Sequence, residues 1–106
     1  MYKRQGSRNT AIGSYALAAN TTAESNTATG YMALRFNTTG EKNTAIGYYA
    51  LKNNSTGNYN TSVGVQSLEF NTEGVSNSAF GQDALRDNTT GGGNTCLLYT
   101  SPSPRD

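Results

Sequence analysis

Asparagine returns at a fixed interval in this chain. Asn9, Asn26, Asn43, Asn60, Asn77 and Asn94 lie 17 residues apart. Gly13, Gly30, Gly47, Gly64 and Gly81 keep the same step, as do Leu17, Leu34, Leu51, Leu68 and Leu85. A second asparagine column runs through Asn20, Asn37, Asn54, Asn71 and Asn88. The unit reads Asn-Thr/Ser-Ala/Ser-apolar-Gly-x-x-Ala/Ser-Leu-x-x-Asn-Thr/Ser-x-Gly/Ala-x-x. Its five complete copies, 9–25, 26–42, 43–59, 60–76 and 77–93, follow one another without a gap. Gly6-Ser7-Arg8 fits the end of an earlier copy, and Asn94-Thr95 opens a later one. A unit this short cannot bury its own apolar residues, but stacked copies cover one another. Equal sequence offsets therefore predict equal heights along a rod. The fold expected is a β-solenoid of the β-roll type, five to six stacked 17-residue coils with short parallel strands about 4.8 Å apart.

Each position of the unit has a physical reading. Ile12, Thr29, Ile46, Val63 and Phe80 at the fourth position suit a short strand through the Asn-Thr-Ala-Ile-Gly segment. The leucines, with Ala16, Ala33, Ala50, Ser67 and Ala84 beside them, fill a thin core whose walls approach closely. Glycine at the fifth position marks a corner with positive φ or a tight backbone approach. Asparagine at the twelfth, followed by Thr or Ser, is turn chemistry, since Asn tolerates the left-handed region. Both asparagine columns can bond from coil to coil through stacked amides. Gly-x-x-Ala-Leu-x-x-Asn also fits one face of a helix, so a short helical or 3₁₀ turn per coil stands beside strand plus turn.

Composition removes several kinds of chemistry. The 106 residues are 34% hydrophobic and 14% charged, with net charge +1, and contain neither His nor Trp. No apolar run is long enough to span a bilayer. Near-neutrality offers no basic footprint for nucleic acid or anionic lipid. Without His the commonest general base and metal ligand are missing. A single Cys builds neither an internal disulfide framework nor a zinc cluster. No catalytic residue, cofactor or metal is expected, and the chain does not read as an enzyme.

The two ends read as foreign to the repeat. Cys96 to Asp106 resembles the translation of a transposon-type sequencing adapter, and Met1 to Gln5 resembles the same adapter on the opposite strand. Segments 1–5 and 96–106 are therefore expected to be adapter-derived, leaving 6–95 as the repeat array. That array carries five cationic and six anionic side chains.

The segment Asn43-Thr44-Ala45-Ile46-Gly47-Tyr48-Tyr49-Ala50-Leu51-Lys52-Asn53-Asn54-Ser55-Thr56-Gly57 resembles the head repeats of YadA-like trimeric autotransporter adhesins and of related bacteriophage tail-fibre proteins. The resemblance extends over 6–95. It implies a β-roll in each of three chains of a fibre, a homotrimer outside the cell, on a cell surface or a virion. It further implies a rigid spacer or head for attachment to a host-surface glycan or protein receptor. The 17-residue unit is longer than the best-known adhesin head repeats, which leaves open the strands per coil and the coil's hand.

Other features have a plainer reading beside the sharp one. Asn20, Asn37, Asn53, Asn54, Asn60 and Asn88 each open an Asn-x-Ser/Thr sequon, but in-phase repetition favours turn chemistry over glycosylation. Gly91-Gly92-Gly93 lacks the residues that complete a phosphate cradle or a calcium roll and reads as a loosened turn. Asp83 and Asp87 fall at freely varying positions and read as a solvated face. Only Thr27 and Thr29 provide the Thr-x-Thr spacing an ice-binding strand needs. Tyr15, Tyr31, Tyr48, Tyr49 and Tyr59, with Phe36 and Phe70, are apolar residues at variable positions. They either pack between chains or form an outer binding surface. Inter-chain packing is the favoured reading because a fibre must cover its inner face, and carbohydrate binding is the alternative.

Overall fold

A computed structural model describes residues 7–97. Each copy of the unit contributes one short strand: β1 (Thr10–Ile12), β2 (Thr27–Thr29), β3 (Thr44–Ile46), β4 (Thr61–Val63), β5 (Ser78–Phe80) and β6 (Thr95–Cys96). The six pair in chain order in one parallel sheet. Every residue lies beside its counterpart one repeat on: Ala11 by Ala28, Ala28 by Ala45, Ala45 by Ser62, Ser62 by Ala79, and Ala79 by Cys96. The chain is a β-solenoid with the expected 17-residue step and one strand per coil. The adapter reading of 1–5 and of 98–106 lies outside the described residues. Cys96 and Leu97 lie within them, and Cys96 takes the third position of the sixth copy.

The core is a column of leucine walled by alanine. Leu17, Leu34, Leu51 and Leu68 are buried, and Leu85 is partly buried against the same cluster. Ala11, Ala28, Ala45 and Ala79 join the cluster from the strands, and Ala16, Ala33, Ala50 and Ala84 from the segment after each glycine. The fourth coil replaces both alanines with serine. Ser62 and Ser67 share a hydroxyl–hydroxyl hydrogen bond, and the Ser62 hydroxyl donates to the Ser67 carbonyl at 2.7 Å. That pairing offsets the desolvation of two buried hydroxyls.

The segment after each glycine is neither a helix nor a second strand; it is a run of turns. In the second coil Ala33 N–H donates to Gly30 O, Arg35 N–H to Met32 O, and Asn37 N–H to Leu34 O. The first two need a positive φ at their third residue, as type II turns do. Met32 (φ 63°) and Leu34 (φ 51°) supply it, and their counterparts repeat it in every coil. Left-handed backbone thus falls on the seventh and ninth positions, and on the seventeenth at Ser25, Lys42, Tyr59 and Ser76. It does not fall on the Asn at the twelfth position, where turn chemistry placed it. A left-handed L-residue costs about 1–2 kcal/mol. Rung bonds offset it: Leu34 N–H donates to Ala50 O at 3.0 Å and Phe36 N–H to Lys52 O at 3.1 Å. The fifth-position glycines do adopt positive φ, and a Cβ on Gly47 would meet the Gly64 carbonyl oxygen at 2.6 Å.

The two asparagine columns work differently. At the twelfth position the amide nitrogen of each Asn donates to the amide oxygen of the preceding one: Asn54 to Asn37 at 2.8 Å, Asn71 to Asn54 at 2.9 Å. This is the stacked-amide ladder expected. At the first position the amide oxygen accepts from the next Asn's backbone, as Asn43 N–H does to Asn26 Oδ1 at 2.9 Å. Stacked amides are not the bond that joins Asn26, Asn43 and Asn60, because each side-chain nitrogen turns inward to the fifteenth-position carbonyl. Asn43 Nδ2 and Asn54 Nδ2 both reach Gly57 O, at 2.8 and 3.0 Å. Two columns of otherwise costly buried amides thereby satisfy each other through one carbonyl per coil.

Candidate functional site

Consecutive residues of a strand point to opposite faces. The positive φ at the seventh position (Tyr49, φ 64°) breaks that alternation, and the rings of Tyr48 and Tyr49 stack with centroids 4.0 Å apart. Tyr31, one repeat before Tyr48, stacks on both rings at 5.5 and 6.0 Å. Tyr15 meets Tyr31 edge-on at 6.3 Å. Four of the five singled-out tyrosines therefore form one cluster over the first three coils. Tyr59 does not join it; its ring partner is the Lys42 ammonium, 5.6 Å from the centroid. Tyr15, Tyr31 and Tyr48 are exposed and Tyr49 is half-buried. The hydrogen bond with Tyr49, more than the partial burial beside it, raises the Tyr48 phenol above its ordinary pKa of 10.0.

Cations at the tenth position lie on these rings. The Arg35 guanidinium sits over Tyr15 at 4.4 Å and over Phe36 at 4.9 Å. The Lys52 ammonium sits 4.4 Å above Tyr49. Sequence reading singled out the aromatics without these cations, although the Arg35–Lys52 step of 17 was the available signal. In the fourth and fifth coils the same column holds Glu69 and Arg86, joined at 3.2 Å, with Arg86 over Phe70 at 5.0 Å. Asp83 and Asp87 each lie 3.9 Å from Arg86. Asp87 is solvated as expected; Asp83 is only half-exposed, and one of its oxygens has no hydrogen-bond partner.

A second surface lies on the outer face of the sheet. Ile12, Ile46 and Phe80 at the fourth position are exposed, and Val63 is half-exposed. The Thr/Ser rank of the second position accompanies them, and neither rank contains a charge from Thr10 to Phe80.

The sequon asparagines are engaged in the fold. Asn37, Asn54 and Asn60 are fully buried, and all six amide nitrogens donate to protein oxygens, Asn53 to Glu69 O at 3.1 Å and Asn88 to Asn71 Oδ1 at 2.9 Å among them. Among the described residues no three His, Cys, Asp or Glu side chains gather as a metal site, and no helix is long and apolar enough to cross a membrane. A depression of about 440 Å³ is lined by Asp83, Leu85, Arg86, Asp87, Asn88 and Cys96. Comparison with protein-family models, with curated proteins and with solved structures gives no match.

Proposed function

We propose that the chain is a structural segment of a fibrous adhesin or phage tail-fibre protein, a rigid spacer or head working outside the cell on a bacterial surface or virion. The observation that supports this most is the unbroken rung bonding. Sheet, turns and both asparagine columns bond each of the five complete coils to the next, so bending the rod breaks several bonds at once. Such a rod transmits force and holds whatever it carries at a fixed height.

Three copies associate through the outer sheet face. A contiguous apolar row marks an interaction surface on a soluble chain. Ile46, Val63 and Phe80 form such a row over three successive coils, and Ile12 continues it beyond Thr29, the column being free of charge. Closed rotational symmetry buries it once per chain. On this reading the chains pack through the strand and leave the tyrosines free. Sedimentation equilibrium of the full chain tests it. A mass three times 11.2 kDa, reduced to that of one chain by Ile46→Lys, is the expected result. A single-chain mass across the concentration range contradicts it.

The tyrosine cluster favours a second reading, a carbohydrate-binding surface carried on the same rod. Tyr15, Tyr31 and Tyr48 are exposed in a row over three successive coils, and their ring edges and phenol groups are suited to contact a sugar chain.

A further inference from the structure

We infer that the flank formed by Tyr15, Tyr31, Tyr48, Tyr49, Arg35 and Lys52 binds an anionic oligosaccharide, one bearing carboxylate or sulfate groups along a chain of sugar rings. The inference rests on the carbohydrate-binding reading and adds the charge of the ligand and the coils that hold it.

The positive charge of this flank is local. From Ser14 to Asn53, positions six to eleven of the first three coils carry Arg35 and Lys52 and no carboxylate. The carboxylates of those coils, Glu24 and Glu41, stand at the sixteenth position. The next residue of the cation column, Glu69, is buried and neutralised by Arg86 at 3.2 Å. A polyanion approaching this flank therefore meets two cations held on rings and, among the described residues, in no ion pair with a carboxylate.

Geometry supports the same ligand. The guanidinium and ammonium are held against Tyr15, Phe36 and Tyr49 at 4.4–4.9 Å, so their placement is fixed before binding. The rings follow one another from coil to coil, with successive centroids 6.3 and 5.5 Å apart from Tyr15 to Tyr31 to Tyr48. Their faces are engaged by one another and by the two cations, so a linear ligand lies against the exposed ring edges and phenol groups, its acidic groups toward the tenth position. Single-stranded nucleic acid also combines stacking with negative charge, but its affinity comes from neutralising many phosphates. Two cations on a chain of net charge +1 suit an acidic glycan, which contacts to its sugar rings also hold, better.

Isothermal titration of the full chain at physiological ionic strength tests the assignment. The probes are a heparin octasaccharide (sulfate and carboxylate), a hyaluronan octasaccharide (carboxylate only), neutral malto-octaose and a single-stranded DNA oligonucleotide. Heparin or hyaluronan is expected to bind and malto-octaose is not. Tyr48→Ala and Lys52→Gln each weaken binding by about fivefold or more, whereas Lys42→Gln, whose ammonium lies over Tyr59 outside the cluster, leaves it unchanged. Circular dichroism confirms that each variant stays folded. Malto-octaose binding as tightly as the acidic sugars, with no effect of Lys52→Gln, overturns the charge assignment and leaves the carbohydrate reading standing. No oligosaccharide binding at all overturns both. DNA binding tighter than either acidic sugar replaces the glycan with a nucleic acid.

Discussion

Gly57→Ala probes the closest approach between coils. The backbone N–H groups of Ser55, Thr56 and Gly57 all donate to the Thr72 carbonyl, at 3.0, 3.2 and 3.2 Å. A Cβ on Gly57 would collide with the Gly74 carbonyl oxygen and stand 2.6 Å from Asn54 Oδ1 and 3.0 Å from Asn60 Nδ2. The first coil already shows how a methyl group is accommodated there, because Ala23 holds the equivalent position. Of the three N–H groups, only that of Thr21 still reaches the Thr38 carbonyl, at 3.3 Å. The Asn37–Asn20 amide step is 3.3 Å, against 2.8 Å for the next one. Two lost bonds at about 1 kcal/mol each and overpacking of about 1–2 kcal/mol are offset by about 0.4–1 kcal/mol of reduced unfolded-state entropy. The net expectation is about 2–3.5 kcal/mol of destabilisation, read as a lower urea midpoint at unchanged slope. A change below about 0.5 kcal/mol refutes the reasoning, since it would mean the coils do not approach this closely.

Leu51→Ala, at a fully buried rung, is expected to cost about 3–5 kcal/mol in urea unfolding, and Leu85→Ala clearly less because Leu85 is only partly buried. Ser62→Ala leaves Ser67 bonded to the Gly64 carbonyl at 3.2 Å and costs about 1 kcal/mol. Adding Ser67→Ala recreates the alanine pair of the other coils and returns stability to within about 0.5 kcal/mol of the parent, which a double-mutant cycle measures. Tyr48 is expected to lose its proton at higher pH than free tyrosine in an ultraviolet titration, and Tyr49→Phe to remove most of that shift.

The columns were legible because the repeat states each requirement five times over. One leucine says little, but five leucines 17 residues apart, beside a small residue each time, specify a walled column. The strand and the glycine corners were legible for the same reason. Left-handed backbone at the seventh and ninth positions was not, because Tyr, Met, Gln and Leu have no preference for it and Asp, which tolerates it, stands there once, at Asp83. Bonds between neighbouring coils impose it, and these cannot be weighed one residue at a time. The helical alternative arose because Gly, Ala, Leu and Asn at spacings of three and four fit successive turns as well as a helix face. The aromatic site was half legible. Tyr31 and Tyr48 share a column, but the Tyr48–Tyr49 stack depends on the left-handed residue that breaks strand alternation.

Stacking itself is tested most directly by distances between equivalent residues. Thr22, Thr39, Thr56 and Thr90 are exposed at the fourteenth position of four coils. With Cys96→Ala in the background, Thr22→Cys can be paired in turn with Thr39→Cys, Thr56→Cys or Thr90→Cys and spin-labelled. Electron spin resonance should then give backbone separations of about 5, 10 and 19 Å, growing by one strand spacing per coil. A Thr22–Thr90 separation no larger than that of Thr22–Thr56 would contradict a rod with like residues stacked over like.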